Sequence, residues 1–170
     1  ELDRDPTRSG TPYFDIEVIE RLLKECRPPF ERGDLDYTKG TIEPAFIKSQ
    51  RGRLHLWVQL SSNKKPPTDR DYVIGVDIAA GGGGPMGTNS AFSVAERKTG
   101  KKVAEYTDPA VYPHEFAKLC YAASKFFEGP GGPAYLIHES NGTTGAQFTR
   151  AILELEHPNL FMQSDDMRIS

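Results

Sequence analysis

The spacing of apolar residues changes character at Asp71. Before it, one helical stripe stands out: Ile16, Ile19, Leu22, Leu23 and Cys26 recur at helical intervals within Thr11 to Cys26, with Asp15 placed to cap the first turn. Pro28-Pro29 ends that helix, because proline brings no N–H to the ladder. From Phe30 to Arg53, Gly33, Gly40 and Gly52 interrupt any period, so this stretch reads as irregular chain with short strands. Arg53 to Leu60 alternates as a strand apolar on one face, with Trp57 assigned to the core. Ser61 to Arg70, which contains Lys64-Lys65-Pro66-Pro67, has the composition of a linker.

After Asp71 the pattern becomes regular. Tyr72 to Ala79 is a nearly continuous apolar run, the signature of a strand covered on both faces. Ser90 to Glu96 alternates, Thr99-Gly100 turns the chain, and Lys102 to Tyr106 alternates again, which predicts a three-stranded antiparallel meander. Pro113 to Phe127 is an amphipathic helix with Phe116, Leu119, Cys120, Ala123 and Phe127 on one side, broken by Gly129-Pro130-Gly131-Gly132-Pro133. Ala134 to Glu139 is a further buried strand, Thr144 to Leu155 a helix, and Asn159 to Met162 the start of another strand. A meander followed by strand–helix alternation predicts an α/β fold with a mixed sheet and helices on its faces. Residues 1–71 are then an extension and linker packed on a core formed by residues 72–170.

Composition narrows this little. Hydrophobic residues are 37% and charged residues 26% of 170, as in a globular chain. No apolar run approaches the roughly 18 residues of a membrane span, and the first residues lack a signal-peptide pattern. Two cysteines, Cys26 and Cys120, make neither a disulfide framework nor a zinc spacing, and the cytoplasm is the expected compartment. The net charge of −3 arises beyond residue 71, where 11 acidic residues face 8 basic ones, while the first 71 residues carry 13 of each. No global basic field announces nucleic acid, although bound divalent cations would offset carboxylates locally.

Two carboxylates interrupt apolar strands at their ends: Asp77 in the first core strand and Glu139 in the fourth. If those strands are neighbours, both carboxylates meet at one rim of the sheet. Oxygen ligands of that kind suit Mg²⁺ or Mn²⁺. A pair of such ions about 3.5–4 Å apart activates water and stabilises the leaving oxygen of a phosphodiester.

These residues carry a resemblance. Tyr72-Val73-Ile74-Gly75-Val76-Asp77-Ile78-Ala79, then Gly81 to Gly84 and Asn89-Ser90-Ala91, resembles the opening of the nuclease domain of phage and prophage terminase large subunits. His138-Glu139-Ser140-Asn141-Gly142-Thr143-Thr144-Gly145 resembles their second acidic motif, and Ser9 to Asp15 the segment that leaves their ATPase domain. The resemblance implies an RNase H-like fold and metal-dependent endonucleolytic cleavage of double-stranded DNA during genome packaging in the host cytoplasm. It makes Asp77 and Glu139 catalytic metal ligands for Mg²⁺ or Mn²⁺, with Asn141 and Gly142 shaping the turn after the fourth strand. It also implies a terminase ATPase domain, small subunit and portal protein as partners. The third acid of that family lies on a later helix, so the nuclease core is expected to be C-terminally incomplete here, with Asp165 and Asp166 weak substitutes. The chain has no Gly-x-x-x-x-Gly-Lys phosphate loop.

Other features admit plainer readings. Gly81 to Gly84 reads as a flexible loop over the metal site rather than a phosphate cradle, since it lacks a lysine and runs into Pro85. Arg97, Lys98, Lys101 and Lys102 cluster at a hairpin turn where they could meet DNA phosphate or simply solvent. His138 points to the face opposite Glu139 and is expected to be packed and satisfied. Two alternatives remain: an actin-like or Hsp70-like ATPase, for which Gly87-Thr88-Asn89-Ser90 would be a phosphate turn, and a non-catalytic module that docks on or clamps DNA.

Overall fold

The computed structural model describes residues 14–37, 43–83 and 88–161. Its sheet is organised around β4 (Tyr72–Asp77). β4 pairs antiparallel with β5 (Ser90–Glu96), which pairs antiparallel with β6 (Lys102–Asp108). The chain then forms α2 (Pro113–Phe126) and returns as β7 (Tyr135–His138), parallel to β4 on its other side. A crossover of this length is required, because parallel neighbours cannot be joined by a tight turn. The meander is as the sequence predicted, and the first and fourth core strands, whose adjacency the sequence left open, are neighbours. α3 (Gly142–Glu154) follows, starting two residues before the expected Thr144. Beyond it, a parallel bridge from Leu136 to Leu160 marks the place where another strand was expected.

The N-terminal part contributes more to the sheet than its irregular pattern suggested. β1 (Glu31–Asp36) pairs antiparallel with β2 (Ala45–Lys48) and with β3 (Leu54–Leu56), and β3 pairs with β6. The result is one seven-stranded sheet in the order β2-β1-β3-β6-β5-β4-β7, continuous across Asp71. α1 (Ile16–Glu25) begins at the expected N-cap, where the Asp15 carboxylate accepts from the Glu17 N–H at 2.8 Å. None of its residues is buried, so its apolar stripe takes no part in the core among the described residues. Trp57 is not core either. It is half-exposed, donates its indole N–H to the Arg27 carbonyl and carries the Lys102 ammonium 4.7 Å above its ring. The alternation itself places it there, since Leu54, Leu56 and Val58 are buried on one face while His55 and Trp57 lie on the other.

The core lies on one side of the sheet. Tyr72, Ile74 and Val76 of β4, Phe92 and Val94 of β5 and Leu136 of β7 are buried there. Phe116 of α2, fully buried, lies 6.3 Å from the Phe92 ring and 6.2 Å from Tyr106, and tilts against Phe148 of α3 at 5.9 Å. The opposite side is open, with Gly75, Asp77, Ser93 and Thr107 exposed. The long apolar run at β4 therefore does not mean cover on both faces. Half of its alternate positions are small or polar, and Val73 is only partly buried.

Candidate metal centre

Asp77 is the last residue of β4 and lies on the open face, since buried Val76 precedes it. Its cross-strand neighbour is Ala91 of β5, a small side chain that leaves the carboxylate uncovered. In the parallel ladder with β7 the last partners are Val76 and His138. Asp77 ends β4 and Glu139 follows the last residue of β7, each one position beyond that final pair and both exposed. Both belong to the carboxyl ends of parallel neighbours, the rim where α/β sheets bind ligands. A shallow depression of about 390 Å³ opens beside Asp77, lined by Gly75, Ala91, Ser93 and Thr107 among others.

The turn after β7 is built around Glu139. Asn141 occupies the N-cap position of α3, yet its side chain makes no cap bond; its Nδ2 donates instead to Glu139 Oε1 at 2.7 Å. Gly142 takes a left-handed φ of 67°, which lets the chain swing from strand to helix. Gly145 allows α3 to sit against this turn: a Cβ there would lie 2.6 Å from the Ser140 carbonyl carbon and 2.9 Å from the Glu139 oxygen. His138 faces the helices as expected, 5.0 Å from the Phe148 ring and with Nε2 2.8 Å from Thr149 Oγ1. It is packed but not fully satisfied, because Nδ1 is buried without a hydrogen-bond partner, and burial lowers its pKa.

The glycine-rich loop is tethered where it is described, contrary to the flexible cover expected of it. Gly82 and Gly83 donate their N–H groups to the Ala110 and Pro109 carbonyls, each at 3.1 Å. A Cβ on Gly81 would approach the Val111 oxygen to 2.4 Å. Two of the amides that a phosphate cradle would need are thus used internally. Gly84 and Gly87 lie outside the described residues. Fully buried Ser90 ties the far end of the loop back, its Oγ accepting from the Ala79 N–H at 3.0 Å.

Sequence reasoning missed a second carboxylate cluster. Asp108, at the end of β6, is buried and accepts from Tyr106 Oη at 2.9 Å, from the Ala110 N–H at 2.8 Å and from the Arg53 guanidinium. Burial and the Asp108 carboxylate together push the Tyr106 phenol well up. Asp108 pairs with Ser90 and faces the helices, so it sits on the opposite side of the sheet from Asp77. An acid at a strand end was the available signal, but its arginine partner lies 55 residues earlier.

The hairpin cations lie at the other end of the meander. Tyr72 pairs with Glu96 whereas Asp77 pairs with Ala91, so Arg97 and Lys98 stand more than five strand residues, about 17 Å, from Asp77. The structure does not bring Arg97, Lys98, Lys101 or Lys102 to the carboxylate pair. Lys102 is turned toward Glu105 and Trp57. Asp165 and Asp166 lie outside the described residues, as do Thr11 to Tyr13 and Met162. Among the described residues no group of three or more His, Cys, Asp and Glu side chains is placed to hold a metal ion. Asp77 and Glu139 are of the donor type that hard divalent cations take: carboxylates open to solvent, with no cationic side chain bonded to either among the described residues.

No family model matches the chain, and neither does any curated protein. Among solved structures it is similar to the large terminase nuclease from thermophilic phage G20c. With cobalt bound, that nuclease matches 71% of this chain and 56% of its own, at 18% identity and a TM-score of 0.50. Two further structures of it, one with magnesium, give 18% and 17% identity over 69% and 71% of this chain and 54% and 56% of theirs, at TM-scores of 0.48 and 0.46. The chain thus spans little more than half the length of these nuclease chains. At such identity the likeness is one of architecture, and the chain has a mixed α/β, RNase H-like fold.

Proposed function

We propose that this chain is the metal-dependent nuclease domain of a terminase large subunit, cleaving double-stranded DNA during genome packaging. The observation that supports this reading is the parallel pairing of β4 with β7, whose ladder ends one residue before both Asp77 and Glu139, each of them exposed. Asp77 and Glu139 would hold Mg²⁺ or Mn²⁺; when bound, the metal supplies an activated water and stabilises the leaving oxygen of the phosphodiester. The open face of β4, β5 and β6, with only small side chains next to Asp77, gives a duplex room to approach. Arg97, Lys98, Lys101 and Lys102 would hold the backbone about five base pairs away, given about 3.4 Å per base pair along one strand. A terminase ATPase domain, small subunit and portal protein, within the cytoplasm of a bacterial host, belong to the same proposal.

Plasmid nicking with Mn²⁺ on a chain extended beyond Ser170 tests it, comparing wild type with Asp77→Ala and Glu139→Ala, while these 170 residues alone are expected to cleave weakly or not at all. Loss of cleavage in both variants is expected, and wild-type cleavage by both would overturn the assignment. The ATPase alternative gains no support from its phosphate turn, in which Ser90 is fully buried with its Oγ bonded to the Ala79 N–H at 3.0 Å. Saturable ATP binding by the chain would restore it.

A further inference from the structure

We infer that Asn141 is a positioning residue whose task is to fix the Glu139 carboxylate for a divalent cation, rather than to cap α3. The inference rests on the metal-site reading above. Asn is among the strongest N-cap residues, and its side chain ordinarily accepts from the N–H two or three residues on. Here Asn141 has the extended N-cap backbone (φ −71°, ψ 145°) and forgoes that bond. Its amide reaches back to Glu139 Oε1 at 2.7 Å. The atom facing the carboxylate must be Nδ2, because a carboxylate offers only acceptors and the amide oxygen would be repelled. The left-handed Gly142 and the close seat of Gly145 against Ser140 hold the turn that makes this contact possible. An exposed glutamate has several rotamers of similar energy, and one fixed donor selects among them. Oε1 keeps its second lone pair and Oε2 both of its own, so the carboxylate remains able to bind metal. Second-layer partners of metal ligands typically carry about 10–100-fold in metal affinity.

Asn141→Thr separates the two roles, because threonine caps a helix but lacks the amide that reaches Glu139. Mn²⁺ binding is read by electron paramagnetic resonance of the free aqua ion, and folding by thermal melting. Asn141→Thr should lose about tenfold or more in Mn²⁺ affinity with an unchanged or higher Tm, and Asn141→Gln, which keeps the donor, should bind more tightly than the threonine variant. Wild-type affinity in Asn141→Thr would overturn the inference. Glu139→Gln binding Mn²⁺ like wild type, or a wild-type chain that takes up none, would instead overturn the metal site beneath it. A readout free of metal stands beside these: the Asn141 side-chain amide resonances should move in Glu139→Ala, and their failure to move would refute the contact itself.

Discussion

Replacing Asp108 with alanine should destabilise the protein more than removing its charged partner Arg53. The carboxylate is 8% exposed and the arginine side chain 48%. A half-exposed guanidinium regains water when Asp108 is removed, whereas removing Arg53 leaves the carboxylate bonded to Tyr106 Oη and the Ala110 N–H, so loss of the arginine costs about 1 kcal/mol. The neutral donors fare worse. Tyr106 is buried, and its hydroxyl would lose its acceptor at about 1–3 kcal/mol, while the Ala110 N–H loses about 1 kcal/mol. Asp108→Ala should therefore cost about 3 kcal/mol, or roughly 6–12 °C in Tm for a chain of this length, and Arg53→Ala about 1 kcal/mol. The effect should reach the loop beside Asp77. Asp108 holds the Ala110 N–H, and the Ala110 carbonyl accepts from Gly82 in the loop that follows Asp77. Urea unfolding gives the energies, and amide hydrogen exchange at Gly82 gives the coupling, with faster exchange expected in Asp108→Ala. Equal destabilisation by the two substitutions, with Gly82 exchange unchanged, would refute this reasoning.

Gly145→Val should distort the Glu139 turn, since its first added carbon meets backbone at 2.6 Å; a loss of about 1–3 kcal/mol and weakened Mn²⁺ uptake are expected by melting and titration. Phe116→Ala should cost about 3–5 kcal/mol by urea unfolding, because the ring is fully buried between the sheet and α3. His157 is buried with Nε2 unpartnered, and burial lowers its pKa from 6.5 to about 4. A folded pKa below the unfolded one means stability present above pH 6.5 and lost as pH falls toward 4, on the order of 3 kcal/mol for this group. His157→Asn, which keeps an acceptor for the Asn159 N–H, should flatten that acid limb in urea titrations at pH 7 and 4.5. Reversing Arg97 and Lys98 to glutamate should weaken duplex binding and shrink its salt dependence in fluorescence anisotropy, while leaving Mn²⁺ affinity unchanged.

The legible parts of this molecule are those where a local pattern carries the information. Alternation at Ser90–Glu96 and Lys102–Asp108, with Thr99-Gly100 between them, specifies a hairpin without reference to anything distant. The glycine- and proline-rich break after α2 separates the crossover helix from β7, and Asp77 and Glu139 are visible as acids at strand ends. What stayed hidden depends on distant partners. β1 and β2 are short and broken by turn residues, and they are strands because β3 docks on β6 about 50 residues later. The open face was concealed because Val73 and Gly75 look as apolar as Ile74 and Val76, and only the placement of α2 and α3 on one side distinguishes them. The Gly81–Gly83 tether uses backbone carbonyls of Pro109 and Ala110, which no side-chain pattern announces. Asn141 was assigned to the turn, whereas its bond to Glu139 is a choice between two acceptable partners that spacing alone does not decide.

The central claim is that Asp77 and Glu139 form one metal site across the β4–β7 pair. Paramagnetic broadening by substoichiometric Mn²⁺ in a ¹⁵N-labelled sample tests it most directly. Amides of Val76 to Ile78 and His138 to Asn141 should broaden first and together, and Asp77→Ala should abolish both. Broadening centred elsewhere, or at one strand end while the other stays sharp, would contradict it.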